Sequence, residues 1–320
     1  MTSRARKTWL TACLLAVSTT VALAGCATTD PTAPGGGSSS GDSAKGDAVI
    51  VGSFAFPESE ILGEIYAQAL EAEGFDVSTK FNIGPRQQTI PALQDGSINL
   101  IPEYNGNLLA YYNPDYTERT TEEVDGALGD VVGKDKLRVL DSAEAEDKDA
   151  YVVTKKTAED NDLKAIGDLK GLEPFSLASN PQFGELGYGI PGLRDVYGVG
   201  VEPGQVTFVP YEDFGGPDTV QALVDGTVQV ADIYTTSPAL TAEDLVVLED
   251  PENMISAQNI IPLLSKDIYS DKLAEVLNAI SAKLTTDDLI ELRDRVEGDE
   301  KASASTAAKE WLTTAGLLDK

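Results

Sequence analysis

Two tyrosines, Tyr104 and Tyr234, close two similar stretches of the sequence and are well placed to contact a ligand. The first stretch reads ALQDGSINLIPEYNGN and the second reads ALVDGTVQVADIYTTS. Each pattern predicts a helix, an Asp-Gly turn, a short strand and then a tyrosine in a polar loop. Open α/β sheets bind ligands beyond the carboxyl ends of their strands. The parallel therefore predicts two aromatic faces that look into one cleft from opposite sides.

The local pattern around Tyr104 predicts how this residue is delivered. Ile98–Ile101 is an apolar run typical of a buried strand, and Pro102 is expected to end it because proline has no N–H for the ladder. Asn105-Gly106-Asn107 predicts a turn, with a helix starting just after it. The alternative is an ordinary strand-turn-helix corner that carries a half-buried tyrosine.

The first 47 residues predict export and attachment. Residues 1–25 combine a basic start with a short apolar run and small residues, which predicts a signal peptide. The sequence LAGC that ends at Cys26 resembles the bacterial lipobox, which implies a lipid on Cys26; the alternative is a plain signal peptide with an incidental cysteine. Residues 26–47 are rich in Gly, Ser, Thr and Pro, so we expect a flexible tether.

The composition excludes several classes of function. The formal net charge of −29 argues against nucleic acid and anionic lipid surfaces as partners. The absence of histidine rules out Ser-His-Asp and Cys-His nucleophiles and any His-ligated metal. We predict no cofactor and no metal, although oxygen-ligated metals and carboxylate-pair or Ser-Lys hydrolysis stay open.

After residue 47, predicted strands and helices alternate, which is typical of parallel α/β sheets with right-handed crossovers. We expect an α/β fold with two domains joined by two hinge crossovers. Lobe 1 is predicted to contain residues 48–145 and 253–320, and lobe 2 residues 146–252.

Three further segments complete the predicted organisation. The acidic run Glu144–Asp149 predicts a solvated crossover. Leu245–Leu248 and Asn259–Leu264 are predicted strands that carry the chain back to lobe 1, and Thr286 is predicted to cap a late helix. Gly187, Gly189 and Gly192 spell G-x-G-x-x-G, but no strand directly precedes them, so we interpret this segment as loop and turn.

The order of the motifs VGSF, ILGE, LEAEGF and PEYNG resembles the substrate-binding proteins of osmoprotectant ABC importers, the OpuC/ProX-like family that binds glycine betaine, choline or carnitine. This resemblance implies a two-lobed periplasmic-binding-protein-like fold of type II. The family carries Thr-Gly-Thr after the tyrosine, whereas this chain carries Asn105-Gly106-Asn107. Both hydroxyls are replaced by amides, which changes the expected polar contacts.

The resemblance also implies a role for the aromatic residues. A quaternary ammonium has no N–H to donate, so aromatic faces select it through cation–π attraction. Tyr104, Tyr151 and Tyr234 are expected to form the walls of such a cage, with Phe214 or Tyr211 as the fourth face. The remaining predicted ligand-binding residues, which include aromatic walls and hydrogen-bond donors for a ligand carboxylate, are Phe54, Ser53, Asn105, Phe183, Gln182 and Asn259.

The expected partners are a small quaternary ammonium ligand and a membrane permease. We expect a monomer, anchored by Cys26 at the outer face of the cytoplasmic membrane. The motifs contain no well-placed arginine, which argues against an ordinary amino acid held by a salt bridge. The alternatives are a binding protein for another small zwitterion or amino acid, a lipid-anchored hydrolase that uses a carboxylate pair such as Glu58 with Glu103, and a scaffold without cleft aromatics.

Overall fold

The computed structural model describes residues 48–318 and contains two separate five-stranded sheets. The predicted signal peptide (1–25), the predicted tether (26–47) and Cys26 lie outside the described residues. Within the part of the chain that is described, no helix has the length and apolar character needed to cross a bilayer. In chain order, the strands are β1 (Val49–Gly52), β2 (Val77–Lys80), β3 (Leu100–Tyr104), β4 (Leu137–Val139), β5 (Tyr151–Thr154), β6 (Phe175–Ser179), β7 (Val206–Pro210), β8 (Val230–Asp232), β9 (Leu245–Val247) and β10 (Ile260–Ser265).

The first helix shows how the sequence specifies the helices. Pro57 lies in its first turn, where no backbone N–H is needed, and Ile61, Leu62 and Ile65 lie on a buried face. The α-helices between residues 48 and 318 are α1 (Pro57–Ala72), α2 (Arg86–Gln94), α3 (Asn105–Tyr112), α4 (Thr121–Val132), α5 (Lys155–Asn161), α6 (Ile190–Asp195), α7 (Pro217–Val224), α8 (Ala239–Ala242), α9 (Asp271–Ser281), α10 (Thr286–Glu297) and α11 (Ala304–Thr314).

The two sheets have the same strand pattern. The first has the order β2-β1-β3-β10-β4, and the second has the order β7-β6-β8-β5-β9. In each sheet the first three strands are parallel, and the remaining two join with antiparallel pairing. Strands β3 and β8 therefore take the same place in the two sheets. Their carboxyl ends carry Tyr104 and, two residues after Asp232, Tyr234.

The strand that delivers Tyr104 is longer than predicted. Strand β3 continues through Pro102 to Tyr104, so the expectation that Pro102 ends the strand was wrong. Pro262 in β10 lies directly opposite Pro102. In an antiparallel ladder, opposing residues alternate between hydrogen-bonded and non-hydrogen-bonded pairs. Neither proline has an N–H, so Pro102 and Pro262 form a pair without hydrogen bonds between them. On its other side, β3 pairs with β1 only at Leu100, which leaves Pro102 free of a partner there.

The segment after Tyr104 is a helix from its first residue, whereas a turn was predicted. Helix α3 begins at Asn105, whose Oδ1 accepts hydrogen bonds from the backbone N–H groups of Gly106 and Asn259 at 2.8 Å. A Cβ on Gly106 would lie 2.2 Å from the carbonyl oxygen of Ala257. Glycine is therefore required here by the close approach of two backbone segments.

Three smaller predictions were also wrong. Thr285, and not Thr286, caps α10, because the Thr285 side chain and the Asp288 side chain bond to each other's backbone N–H groups. Gly192 lies inside α6 and not in a loop. Strand β9 pairs with β5 in the second sheet, so only β10 returns the chain to the first sheet.

Candidate functional site

A cavity of about 1280 Å³ is lined by segments that follow strands of both sheets. The first sheet contributes Phe54 and Phe56 after β1 and Tyr104 at the end of β3. The second sheet contributes Phe214 from the loop after β7 and Tyr234 from the loop after β8. Carboxyl ends of parallel strands thus meet around one space, as the sequence predicted for Tyr104 and Tyr234.

Three rings on the first side form a group that we call the wall cluster: Phe54, Phe56 and Tyr104. The rings of Phe54 and Phe56 stack with centroids 5.6 Å apart and an interplanar angle of 8°. Tyr104 lies 6.4 Å from Phe54 and 6.1 Å from Phe56, tilted by 33° to both. Phe56 is 39 % exposed and Tyr104 is 5 % exposed, so the cluster joins the interior to the cavity surface.

The second side presents rings that are less buried. Phe214 is 57 % exposed and has a left-handed backbone with φ 53°, which is uncommon for a residue with a side chain. Tyr234 is half-buried and lies two residues after the end of β8. The cavity therefore has aromatic side chains on both of its sides.

Glu58 lies beside the wall cluster, at the start of α1. Its Oε1 accepts a hydrogen bond of 2.6 Å from the Tyr104 hydroxyl, while its buried Oε2 has no hydrogen-bond partner within residues 48–318. Burial, followed by the charge of Asp147, raises the pKa of Glu58 from 4.5 to about 8. Glu58 is therefore mostly protonated at pH 7.

Asp147 faces Glu58 from the segment that crosses from the first sheet to the second. Its Oδ1 accepts a hydrogen bond of 2.8 Å from Thr236, and Thr236 accepts one of 2.9 Å from Arg293. Burial raises the pKa of Asp147, while Thr236 and Arg293 act in the opposite direction. Arg293 is in turn paired with Glu297 at 2.8 Å.

A second pair of carboxyl groups lies at the end of β8. Asp149 lines the cavity, and Asp232 lies next to it, 2 % exposed and hydrogen-bonded to Ser179 at 2.6 Å. Burial, together with the charge of Asp149, raises the pKa of Asp232 well above its usual value. Two adjacent carboxyl groups, of which Asp232 is buried and Asp149 half-buried, favour the sharing of one proton.

The cavity contains arginines that the motifs did not reveal. Arg86 donates two hydrogen bonds to Glu103, at 2.9 Å and 2.7 Å, and its guanidinium lies 5.3 Å from the centre of the Phe54 ring. Glu103 is fully buried in this ion pair, while Glu58 is bonded to Tyr104. The carboxylate pair suggested for a hydrolase therefore has both members engaged elsewhere.

Two predicted wall residues, Tyr151 and Phe183, lie away from the cavity. They form, with Tyr188, a group that we call the core cluster, whose ring centroids are 5.5 Å and 5.9 Å apart. Both Tyr151 and Phe183 are 0 % exposed, and the Tyr151 hydroxyl donates to the carbonyl of Tyr188 at 2.8 Å. These side chains fill the interior of the unit built on the second sheet, so the structure does not place them on the cavity wall.

The predicted polar contacts are mostly occupied by structural hydrogen bonds. Ser53 accepts from the Asn82 N–H and donates to the Phe54 carbonyl, both at 2.9 Å. Asn105 donates to Asp125, and Asn259 donates to the Ala143 carbonyl. These side chains hold the loops behind the cavity. The two other predicted residues, which are also absent from the described lining, are Gln182, which is exposed, and Tyr211, which packs against the second sheet.

The functional residues that sequence reasoning missed come from the segments between and after the sheets. Asp147 and Asp149 were assigned to a solvated crossover, yet both line the cavity. Arg293 belongs to α10, which is distant in sequence from both tyrosine motifs. One sequence signal could have placed Asp149 at the cavity, namely its position directly before β5. Strand β5 runs antiparallel to β8, so the start of β5 lies at the same edge of the sheet as the carboxyl end of β8.

Two α/β units around a shared cavity are the architecture of two-lobed solute-binding proteins. A crystal structure of a glycine betaine/carnitine/choline ABC transporter protein matches with a TM-score of 0.76 and 21% sequence identity, over 85% of this chain and 100% of that chain. The structure of apo YehZ from Escherichia coli matches with a TM-score of 0.70 and 25% identity, over 85% of this chain and 99% of that chain. The predicted two-lobed α/β fold is thereby confirmed, and we refer to the units of the first and second sheets as lobe 1 and lobe 2.

Residues 47–314 match the family described as the substrate binding domain of ABC-type glycine betaine transport systems, and the chain belongs to that family. The glycine betaine-binding protein YehZ of Escherichia coli (strain K12) is 25% identical over 285 residues, which cover 84% of this chain and 90% of the relative. A glycine-betaine-binding protein of Pseudomonas aeruginosa is 24% identical over 297 residues, which cover 86% and 90%. The resemblance seen in the motifs is confirmed: the chain is an extracytoplasmic substrate-binding protein and not an enzyme.

Proposed function

We propose that this protein captures a quaternary ammonium compound in the cavity between its lobes and delivers it to an ABC permease. One observation carries the proposal: aromatic rings from both lobes border the same cavity. A quaternary ammonium gains about 0.5–2 kcal/mol from each favourable contact with such a ring. In this proposal the walls are the wall cluster together with Phe214 and Tyr234.

Closure of the lobes completes the site in this proposal. The chain crosses between the sheets twice, in segments 140–150 and 248–259, and two such connections can act as a hinge. Phe214 is exposed on one side and Phe56 is partly exposed on the other, so closure would bury apolar ring surface around the ligand.

Attachment to the membrane is a separate part of the proposal. We propose that Cys26 is lipidated, that residues 1–25 are removed and that residues 26–47 form the tether. Measurement of the intact mass of the protein purified from membranes tests this. The expected mass starts at Cys26 and includes the lipid, and Cys26→Ser should release the protein into the aqueous phase; an unmodified Cys26 would overturn the anchor and leave the ligand proposal standing.

A thermal-shift panel with choline, glycine betaine, carnitine, proline and glycine tests ligand capture. A ligand present at one hundred times its Kd stabilises the folded state by about 2.7 kcal/mol, which gives a measurable rise in Tm. We expect a rise with one or more of the methylated ammonium compounds and none with proline or glycine. A response to proline or glycine alone would overturn the proposal and identify an amino acid site.

A further inference from the structure

A hydrogen bond joins the two lobes directly, outside the two crossing segments. Nη1 of Arg293, on α10 of lobe 1, donates to the hydroxyl of Thr236, in the loop after β8 of lobe 2, at 2.9 Å. Among the hydrogen bonds between described residues, it alone runs from one lobe to the other without a crossing segment. This bond therefore constrains the relative position of the lobes in addition to the crossing segments.

The Thr236 hydroxyl is held from two sides. It donates to Oδ1 of Asp147, on the first crossing segment, at 2.8 Å, and it accepts from Arg293. A hydroxyl has a single proton to donate, so these two bonds fix its direction. The bond from Arg293 has a charged donor, which makes it stronger than a bond between neutral groups. Thr236 is 0 % exposed, so loss of either partner would leave a buried polar group unsatisfied.

Glu297 orients the guanidinium of Arg293. One turn further along α10, Oε1 and Oε2 of Glu297 accept hydrogen bonds from Nε and Nη2 of Arg293, at 2.8 Å and 3.3 Å. Two parallel bonds to one carboxylate fix the plane of a guanidinium. The Nη1 group then points to Thr236, so Arg293 bridges its own helix and lobe 2. We call the group formed by Arg293, Thr236 and Asp147 the strap.

The strap ends in the loop that carries Tyr234. Tyr234 lines the cavity and lies two residues before Thr236. Thr235, between them, donates its hydroxyl to the carbonyl of Glu146, on the first crossing segment, at 3.1 Å. Thr235 thus ties the loop to the crossing segment, and Thr236 ties the same loop to lobe 1. Because the wall cluster belongs to lobe 1, the bond from Arg293 sets how Tyr234 faces that cluster across the cavity.

We propose that Arg293 is a positioning residue for ligand capture: through the Thr236 hydroxyl it holds the Tyr234 loop, and with it lobe 2, at a fixed place opposite the wall cluster. Arg293 acts here through the protein and not through the ligand, so the inference goes beyond the proposed function and holds for any ligand that contacts both lobes. Without the strap, the crossing segments alone join the lobes, and the two aromatic faces sample a wider range of separations. The ligand then has to order the lobes as it binds, which weakens its affinity.

A matched pair of substitutions at Thr236 tests the strap. Thr236→Val keeps the shape of the side chain and removes the hydroxyl, whereas Thr236→Ser keeps the hydroxyl. Arg293→Gln removes the charged donor at the other end of the bond. Its control is Arg295→Gln, because Arg295 lies on the same helix but pairs with Glu300 and Glu310 and is absent from the described cavity lining. Thr236→Val and Arg293→Gln are the strap variants, and the other two are the controls.

The separation of the lobes is measured first, without ligand. Spin labels on Asp130→Cys in α4 and Lys156→Cys in α5, both at exposed positions, report the separation by double electron–electron resonance. The full chain is used in detergent micelles, with the two native cysteines removed as Cys13→Ser and Cys26→Ser. We expect a broader distance distribution in both strap variants and the parent's distribution in both controls. Parent-like distributions in the two strap variants would overturn the proposal.

Calorimetry with choline and glycine betaine then tests whether the strap matters for capture. Whichever probe binds the parent should bind each strap variant about tenfold more weakly, as expected for the loss of a hydrogen bond to a charged group, and should bind the controls like the parent. Parent-like affinity in the folded strap variants would overturn the positioning role. Failure of both probes to bind the parent would count against the proposed function, and the distance measurement would then decide the strap by itself.

A double variant separates one shared bond from two independent effects. Thr236→Val combined with Arg293→Gln should bind no more weakly than the weaker single variant, because both substitutions remove the same bond. Losses that add up would overturn the strap as a unit. Melting curves establish that each variant is folded, and each strap variant removes one end of the same bond, so either one tests it if the other does not fold.

Discussion

The wall cluster and the core cluster contain the same kinds of ring, held in different surroundings. In the wall cluster, Phe56 is 39 % exposed and the Tyr104 hydroxyl donates to a carboxyl group that lines the cavity. In the core cluster, Tyr151 is 0 % exposed and its hydroxyl donates to a backbone carbonyl. The comparison teaches that a position at the edge of the sheet nearest the cavity does not by itself make an aromatic residue a ligand contact. The direction of the side chain, and the group that its hydroxyl bonds to, decide whether the ring faces the cavity or the core.

The largest expected effect is a loss of folding stability when a ring of the core cluster is removed. Tyr151→Ala should lower the free energy of unfolding by about 3–5 kcal/mol, because it removes a fully buried ring and leaves a cavity. The affinity of the folded variant for the proposed quaternary ammonium ligand should remain within about threefold of the parent, since the removed ring lies away from the cavity. Urea titration measures the free energy of unfolding, and calorimetry measures the ligand affinity. Tenfold weaker binding by a folded variant would show that Tyr151 contacts the ligand.

The second effect uses pH, because the wall cluster contacts an ionisable group. Glu58 has an ordinary pKa of 4.5 and a pKa of about 8 in the folded chain, where Asp147 adds to the effect of burial and Arg293 and Tyr104 oppose it. The folded state therefore binds a proton that the unfolded state releases, and this contribution lowers stability as pH rises from 4.5 to 8. The slope is at most about 1.4 kcal/mol per pH unit.

The pH effect is measured by comparison with Glu58→Gln. Melting curves at pH 5, 6.5, 8 and 9 should show the parent chain losing stability relative to this variant as pH rises, with the full difference present above pH 8. Glu71→Gln should follow the parent, because Glu71 is exposed at the far end of α1. Parallel curves for the parent and Glu58→Gln would contradict the raised pKa of Glu58.

The third effect concerns the wall of lobe 2. Tyr234→Ala should weaken binding of the proposed quaternary ammonium ligand about tenfold, which corresponds to a loss of cation–π attraction within the usual range of about 0.5–2 kcal/mol. Tyr211→Ala is the control, since Tyr211 packs against the sheet of lobe 2 and is absent from the described lining. Equal affinities for the two variants would remove Tyr234 from the cage.

The smallest effect is expected at Phe214, which is 57 % exposed. Phe214→Ala should leave the free energy of unfolding within about 0.5 kcal/mol of the parent, because the ring has few contacts to lose. Ligand affinity should fall about threefold, near the lower limit of a cation–π contact, since this ring reaches the ligand only after closure. A large loss of stability would show that Phe214 packs as a core residue, in the manner of Tyr151.

The predictable part of the site came from local patterns. The parallel between the two 16-residue stretches placed Tyr104 and Tyr234 at carboxyl ends of β3 and β8, and these strands do occupy equivalent places in the two sheets. Strand and turn patterns repeat every few residues, so they can be detected in one sequence. The wrong expectation at Pro102 had a long-range cause, because its place in β3 depends on Pro262, which lies opposite it in β10.

The unpredicted part of the site came from residues brought together across long separations. Arg293 and Asp147 are linked through Thr236, and the three belong to α10, the first crossing segment and the loop after β8. No local pattern relates these segments, and an acidic run in a connection is usually solvated. Tyr151, Ser53, Asn105 and Asn259 were expected to contact the ligand. Whether they do depends on how distant segments pack, and no local pattern reports that packing.

The sequence by itself determined the alternation of strands and helices, the class of binding protein and the two tyrosines at the strand ends, because each depends on short-range periodicity or on contiguous motifs. Tertiary structure decided which rings face the cavity and which fill the core. It also decided that Glu58 and Asp147 lie together beside the wall cluster, where burial raises the pKa of both groups. Burial and charge proximity are properties of the packed chain, so they are defined only when distant segments meet.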